Sequence, residues 1–134
     1  MISIDEKKLF DLCMSLKYIY GIVALIIGLD KFTFLIVDWN IYVSPLIELY
    51  LPLPIALHVV HIVGVIEIIA GIIILSKHTR FGAFLTAAWI GVVILNLLTF
   101  GGMYDIILRD IAIAIGYITL GILTKIKDNA QQYQ

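Results

Sequence analysis

Cysteine is all but missing from this chain of 134 residues. Cys13 stands alone, which excludes a disulfide within one chain and any Cys-x-x-Cys motif, so in a redox role a cofactor or partner would carry the electrons. Charge is scarce as well: Asp, Glu, Lys and Arg make up 14% of the residues and the formal net charge is -1, without a basic or acidic tail. A nucleic-acid-binding surface is excluded on that ground. No phosphate-cradling loop, nucleophile elbow or zinc-protease signature occurs. Proline is confined to Pro45, Pro52 and Pro54, inside one short stretch.

What is present is apolar. Hydrophobic residues are 62% of the chain and the mean hydropathy is +1.07, far outside the balance of a soluble domain. A bilayer core of roughly 30 Å needs about 20 helical residues, and the stretches 16–37, 55–75, 82–100 and 104–123 each have that length. The first contains charges and lacks a small-residue cleavage site, so it reads as a retained helix rather than a secretory signal. Lys7, Lys8 and Lys17 precede the first span, Lys77 and Arg80 separate the second from the third, and Lys125 and Lys127 follow the fourth. The other two connections carry Asp38, Glu48 and Asp105, which puts both termini on the cytoplasmic side. The predicted architecture is all-α: an antiparallel four-helix transmembrane bundle over 16–124 in a bacterial inner membrane. A cytoplasmic N-terminal segment, 1–15, and a cytoplasmic tail, 125–134, flank it.

The connections fit this count. Lys77-His78-Thr79-Arg80 is polar and short enough to force a hairpin, and Gly101-Gly102 breaks the helix before the fourth span. Trp39, Tyr42, Tyr50 and Tyr104 fall where an outer aromatic belt belongs. The stretch 40–54 is apolar yet broken by three prolines. It reads either as a re-entrant or interfacial segment capping the outer mouth of the bundle or as a plain surface loop. Gly21 with Gly28, and Gly64 with Gly71, each share one helical face, while Ala87 with Gly91 and Ala112 with Gly116 have small-x-x-x-small spacing. Close helix packing explains these residues, with a homo-oligomer contact as the alternative.

Within the spans lie Asp30, Lys31, Glu67, Arg109 and Asp110. A charge in hydrocarbon is costly, so these side chains should face a protein interior or wet cavity and are candidates for function. Counting inward at about 1.5 Å per residue places Asp30, Lys31, His58, His61, Asn96, Arg109 and Asp110 in one layer roughly 5–10 Å below the outer boundary, and Glu67 about 18 Å deep. Glu67 has Gly64 and Gly71 as its helical neighbours, an open face for another helix, a water or a ligand, and is the best single site candidate. The competing reading makes it an inter-helix packing bond. Three carboxylates oppose two cations, so Glu67 is expected uncharged unless a cation reaches it. Lys31 and Asp110, at matched depth, form a plausible inter-helix pair. Arg109 either pairs with Asp105 on its own helix or reaches inward to an anion. His58 and His61, three apart, are a weak metal signal, and no metal site is assigned. Trp89, Phe84, Phe100 and Tyr117 either pack or stack on a flat ring such as a quinone.

Four short patterns, taken in order, resemble the DoxX-like family of small four-span membrane proteins. They are Gly28-x-x-Lys31, the run from Gly64 through Glu67 to Gly71, Arg80-Phe81-Gly82-Ala83, and Arg109-Asp110, and the likeness covers 18–123. The resemblance implies a left-handed four-helix membrane bundle working beside redox enzymes, with Lys31, Glu67, Arg109 and Asp110 as the family's polar positions. The function expected is an accessory partner of a membrane redox protein, binding a quinone-like molecule in the outer half of the bundle through Glu67, Lys31, Arg109, Asp110, Asn96 and His61. Two rivals are an assembly scaffold for another membrane protein and a small proton-coupled transporter using Glu67. No complete catalytic constellation is legible.

Overall fold

The computed structural model of the chain describes residues 4–56 and 58–133, and among these every regular element is helical. Helix α1 spans Ile4–Thr33, followed by a 3-10 turn at Trp39–Tyr42 and two short helices, α2 (Pro45–Tyr50) and α3 (Leu53–Ala56). Three more follow: α4 (Val59–Leu75), α5 (Thr79–Phe100) and α6 (Tyr104–Gln132). Helices α1, α5 and α6 are long and apolar enough to cross a membrane. The 17 residues of α4 are equally apolar but reach only about 25 Å.

Helix boundaries depart from the sequence reading at several places, and α5 begins at Thr79, inside the predicted polar turn. The first helix stops at Thr33, four residues short of the predicted end, because Asp30 gathers the backbone that follows it. The second long helix starts at Val59 rather than at residue 55, since Pro52 and Pro54 restart the chain as the separate turn α3. Residues 4–15 and 125–132 are helical and continuous with α1 and α6. These ends hold each other: Cys13 Sγ lies 3.4 Å from Thr124 Oγ1, and Lys127 Nζ sits 5.9 Å from the ring centre of Phe10.

The long helices meet as two tight antiparallel pairs, α1 with α4 and α5 with α6. Glycine sets the first pairing. A Cβ on Gly28 would stand 2.9 Å from the Gly64 carbonyl oxygen, and one on Gly64 would stand 2.8 Å from that of Gly28, so the backbones touch where no side chain intervenes. Gly71 meets Leu25 and Gly21 one level along. In the second pair the Phe84 ring lies on Gly121.

The two pairs join toward the end that carries the chain termini. There α4 meets α5 through Gly82 on Ile73 and Ile74, and Thr79 Oγ1 donates to the Ile74 carbonyl at 2.8 Å. Lys17 Nζ donates at 2.7 Å to the Ser76 carbonyl just past α4, where the helix dipole favours a cation. At the same end α1 meets α6 through the Tyr20 ring, seated on Gly116 and 4.7 Å from the Tyr117 ring centre.

Small and polar side chains fill much of the interior, while large aliphatic ones cover the outside. Ala24, Ala70, Ala83, Asp30, Lys31, Thr86 and Asp110 are buried; Ile22, Ile26 and Leu29 on α1, Ile62, Ile69 and Ile72 on α4, and Leu108, Ile115 and Ile122 on α6 are exposed.

The backbone contact makes a prediction. Gly28→Ala should lower unfolding stability in detergent micelles by about 1–3 kcal/mol through overpacking. Gly91→Ala, whose Cβ would meet open space, should be neutral or gain up to about 1 kcal/mol from helix propensity. Equal losses in the two, measured by denaturant titration followed by circular dichroism, would contradict the packing account.

Candidate functional site

The site begins with two adjacent residues at the end of α1 that point their charges in different directions. Asp30 turns toward the chain that leaves the helix. Its Oδ1 accepts from the Leu35 and Ile36 amides at 3.0 and 2.9 Å, and its Oδ2 accepts from the Val37 amide at 3.2 Å and from Trp39 Nε1 at 2.8 Å. A carboxylate needs no counter-cation when several N–H dipoles converge on it. The sharp exit also requires Phe34 in the left-handed region, at φ 51°, with its amide bonded to the Asp30 carbonyl at 2.7 Å. Asp30 therefore ends the helix and fixes Trp39.

Lys31, about 100° further round the helix, turns to α4. Its Nζ donates to Glu67 Oε2 at 2.6 Å and lies 3.7 Å from the centre of the Trp39 ring. The ammonium is thus held between a carboxylate and an aromatic face, with 6% of the lysine side chain and 18% of the glutamate side chain exposed. The pair exists because the Gly28–Gly64 contact brings α1 against the face of α4 next to Glu67.

A cap lies across this end of the molecule. Asn96 of α5 donates from Nδ2 to the Tyr42 carbonyl at 2.8 Å and accepts at Oδ1 from the Ser44 amide at 3.3 Å. Thr99 Oγ1 donates to Ser44 Oγ at 2.8 Å, and Ser44 is 1% exposed. Ser44 also caps α2 by accepting from the Leu46 amide, with Pro45 in the first turn. The proline-broken stretch is a structured lid tied to α5.

Beneath it, between the two helix pairs, is a cavity of about 600 Å³. Its wall is mostly aliphatic, from Val23, Ile27, Val60, Val63, Ile90, Val93 and Ile113, with Trp39, Tyr42, Val43 and Ile47 of the cap region closing one end. Tyr117, whose hydroxyl donates to the Tyr20 carbonyl at 3.2 Å, also lines it. The polar groups in that wall are Lys31, Glu67, Thr86, Trp89, Asn96, Arg109 and Asp110. Arg109 donates from Nε and Nη2 to one oxygen of Asp110, at 3.1 and 3.0 Å, with 57% of its own side chain exposed against 11% for Asp110.

Five of the six residues expected from the sequence meet at this cavity: Glu67, Lys31, Arg109, Asp110 and Asn96. His61 does not. It faces the end of α1, with its ring centre 5.3 Å from that of Phe32 and 6.0 Å from that of Phe34, because Gly64 one turn later presents that side of α4 to α1. The anticipated Lys31–Asp110 bond is replaced by Lys31–Glu67, and Arg109 takes Asp110 rather than Asp105. Glu67 keeps its expected offset from Lys31 along the bundle, about 9 Å, because the end of α1 and the start of α4 both shift by four residues. It lies eight residues into α4, about 12 Å, within reach of a lysine stem from α1. Of the aromatics considered for stacking, Trp89 and Tyr117 line the cavity, whereas Phe84 is spent on Gly121.

Sequence reasoning overlooked Trp39, Ser44 and the organising role of Asp30. The nearby pairing of Asp30 with a tryptophan nine residues later gave no periodic signal. Among the described residues no group of three His, Cys, Asp or Glu side chains is placed to hold a metal ion.

Chemically, the charges in the wall cancel in pairs, while hydrogen-bonding capacity is left over. Trp89 lines the cavity, but its Nε1 is buried within the wall without a partner, so this donor meets an occupant only if the ring turns. Among the described residues, Glu67 and Asp110 each engage a cation through one oxygen, leaving the second to accept. Such a cavity suits a neutral, largely apolar molecule bearing both carbonyl and hydroxyl functions. Compared with known proteins, the chain matches no protein-family model, no curated protein and no solved structure.

Two predictions follow from these bonds. Asp30→Asn can still accept two of the amides but presents an NH₂ to the remaining donors, so stability should fall by about 1.5–3 kcal/mol, with Trp39 emission shifting to the red. Lys31→Met or Glu67→Gln alone should cost about 3–5 kcal/mol by leaving a charge buried and unpaired. Lys31→Met combined with Glu67→Leu should recover most of that loss in the same denaturant titration; additive losses would show that the pair is not coupled.

Proposed function

We propose that this chain is an integral membrane protein whose four long helices span the bilayer and which binds a quinone-like molecule between its two helix pairs. It acts as an accessory subunit of a membrane redox system in a bacterial inner membrane, in the manner of the DoxX-like proteins its sequence resembles. The exposed aliphatic side chains on α1, α4 and α6, set against an interior that holds Asp30, Lys31, Thr86 and Asp110 beside its apolar core, favour lipid as the surrounding solvent. In water so much contiguous apolar surface would drive aggregation.

The observation that carries the binding reading is the cavity itself. It combines a volume of about 600 Å³, an aliphatic wall and a buried, unpartnered indole donor beside charges already neutralised. With the Trp89 ring turned toward the cavity, a quinone carbonyl would accept from its N–H, and the hydroxyl of the reduced form would donate to a carboxylate oxygen. The body of either form is flat and apolar. Glu67 would bond the ligand, Lys31 would hold Glu67 in place, and Arg109 with Asp110 would line the opposite wall. The pairing of Glu67 with Lys31 favours this role over proton carriage, because a carboxylate clamped by an ammonium is poorly placed to shuttle protons.

Gentle purification followed by mass spectrometry should find a co-purifying quinone in the wild type. Trp89→Phe should reduce its retention, and weaken binding of a decyl-tailed benzoquinone read by Trp39 fluorescence quenching about 5–10-fold, the worth of one lost hydrogen bond. Unchanged affinity in that variant, with Glu67→Gln equally unaffected, would sink the proposal.

A further inference from the structure

The cavity is walled by two tight helix pairs whose contacts at Tyr20, Gly82 and Gly116 lie toward the chain termini. On the α1–α6 side Tyr20 packs on Gly116 and Tyr117. Toward the cap the facing residues are Val23 and Ile27 on α1 and Arg109 and Ile113 on α6, and all four line the cavity. Four apolar lining residues are at the same time exposed, three of them on or next to α1 and α6: Val23 at 46%, Ile113 at 37% and Ile36, in the turn after α1, at 63%. A side chain that both lines a cavity and is half exposed marks a rim. On the α4–α5 side only α5 supplies such a residue, Val92, while the α4 lining residues Val59 and Val63 are half-buried. The end of the cavity, by contrast, is covered by the cap, which Asn96, Thr99 and Asp30 tie down.

From this geometry we infer that the cavity opens sideways between α1 and α6, and that its occupant is a long-tailed neutral amphiphile from the bilayer, seated with its polar head inside and its tail passing out over Val23 and Ile113 into lipid. The inference rests on the binding reading above and refines it by naming a route and a tail. Three features select this occupant. The rim is aliphatic, which suits a hydrocarbon tail and repels a water-borne solute. Arg109, the charged residue at that rim, is already held by Asp110, so no free cation demands an anionic head. The unpartnered donor, the Trp89 indole buried within the wall, would reach a carbonyl by a turn of its ring.

The protein has two tryptophans, Trp39 in the cap region and Trp89 in the wall, so Trp39→Phe leaves Trp89 as the sole indole reporter. The test reconstitutes this variant in nanodiscs of phosphatidylcholine with brominated acyl chains, which quench tryptophan on contact, and in unbrominated controls. Trp89 emission is expected to fall at least twofold in the brominated lipid, and Val23→Phe together with Ile113→Phe, which fills the rim, should restore most of it. Val92→Phe, on the other side of the bundle, should leave the quenching in place. Circular dichroism and gel filtration of each variant establish that the fold is retained, and Val23→Leu with Ile113→Leu serves as the milder filling pair if the phenylalanines do not fold.

Quenching that is absent, or that Val92→Phe relieves and the rim pair does not, overturns the sideways opening. The outcome separates from the binding reading: decyl-tailed benzoquinone titrated into the wild type reports whether the cavity is occupied, whereas brominated chains report whether lipid reaches it. Benzoquinone binding without bromine quenching would sink the route alone, and quenching without benzoquinone binding would sink the ligand class while leaving the opening to lipid.

Discussion

An ammonium and a carboxylate in contact inside an apolar protein wall are what the rest of this structure is arranged around. Either charge alone would be expensive there, and the pair is tolerable because Lys31 and Glu67 meet at 2.6 Å with the Trp39 ring on a further side of the ammonium. That contact sets a distance between α1 and α4 that ordinary side chains would not permit. Gly28 and Gly64 supply it by letting the two backbones touch one turn away. The glycines and the ion pair are therefore one device: the first brings the helices together, and the second makes only one register acceptable, since sliding α1 by a turn would leave both charges without partners.

Asp30 extends the same constraint into the cap. Because it follows a different face of α1 from Lys31, it binds the departing backbone instead of a neighbouring helix, and the indole it fixes is the one that covers the Lys31 ammonium. Two neighbouring residues of opposite charge thus act through Trp39 on one point. The cap is anchored a second time, from α5, by Asn96 and Thr99 on the chain around Ser44. The lid is consequently tied to both helix pairs, while between the pairs themselves the close contacts at Tyr20, Gly82 and Gly116 lie toward the other end. A cavity between joined lower ends and a bridging lid is the result.

Much of this was legible in the residues before any coordinates. The helical class, a break between α4 and α5 (shorter than expected, since Thr79 and Arg80 already belong to α5), the break at Gly101-Gly102, and the placing of five of the six expected residues at the cavity come from hydropathy, turn chemistry and the cost of charge in hydrocarbon. What failed was partner choice. Depth counting assumed that helices end where hydropathy ends, but Asp30 ends α1 early by a hydrogen-bond pattern with no periodicity, and two prolines delay α4. The two shifts are four residues each and cancel, leaving Lys31 and Glu67 about 9 Å apart along the bundle axis; what the count missed is that the lysine stem spans this distance. His61 failed for a rotational reason: its spacing from His58 is real, yet the Gly64 side of α4 is claimed by α1, which leaves the imidazole among Phe32 and Phe34 instead of in the cavity.

The arrangement also bears on what kind of occupant the cavity favours. A wall with a surplus cation would select anions, and one with a surplus carboxylate would select cations or carry protons; here each charge is answered from within, Lys31 by Glu67, Arg109 by Asp110, and Asp30 by backbone amides. Selectivity then falls to the groups that remain, a single indole N–H and the second oxygens of two carboxylates, in a surface that is otherwise aliphatic. Hydrogen bonds of that sort gain strength in low dielectric and cost little to break on release when the partner is neutral. Balanced charge with unbalanced hydrogen bonding is thus the physical reason to look for an uncharged molecule with polar functions on a greasy frame.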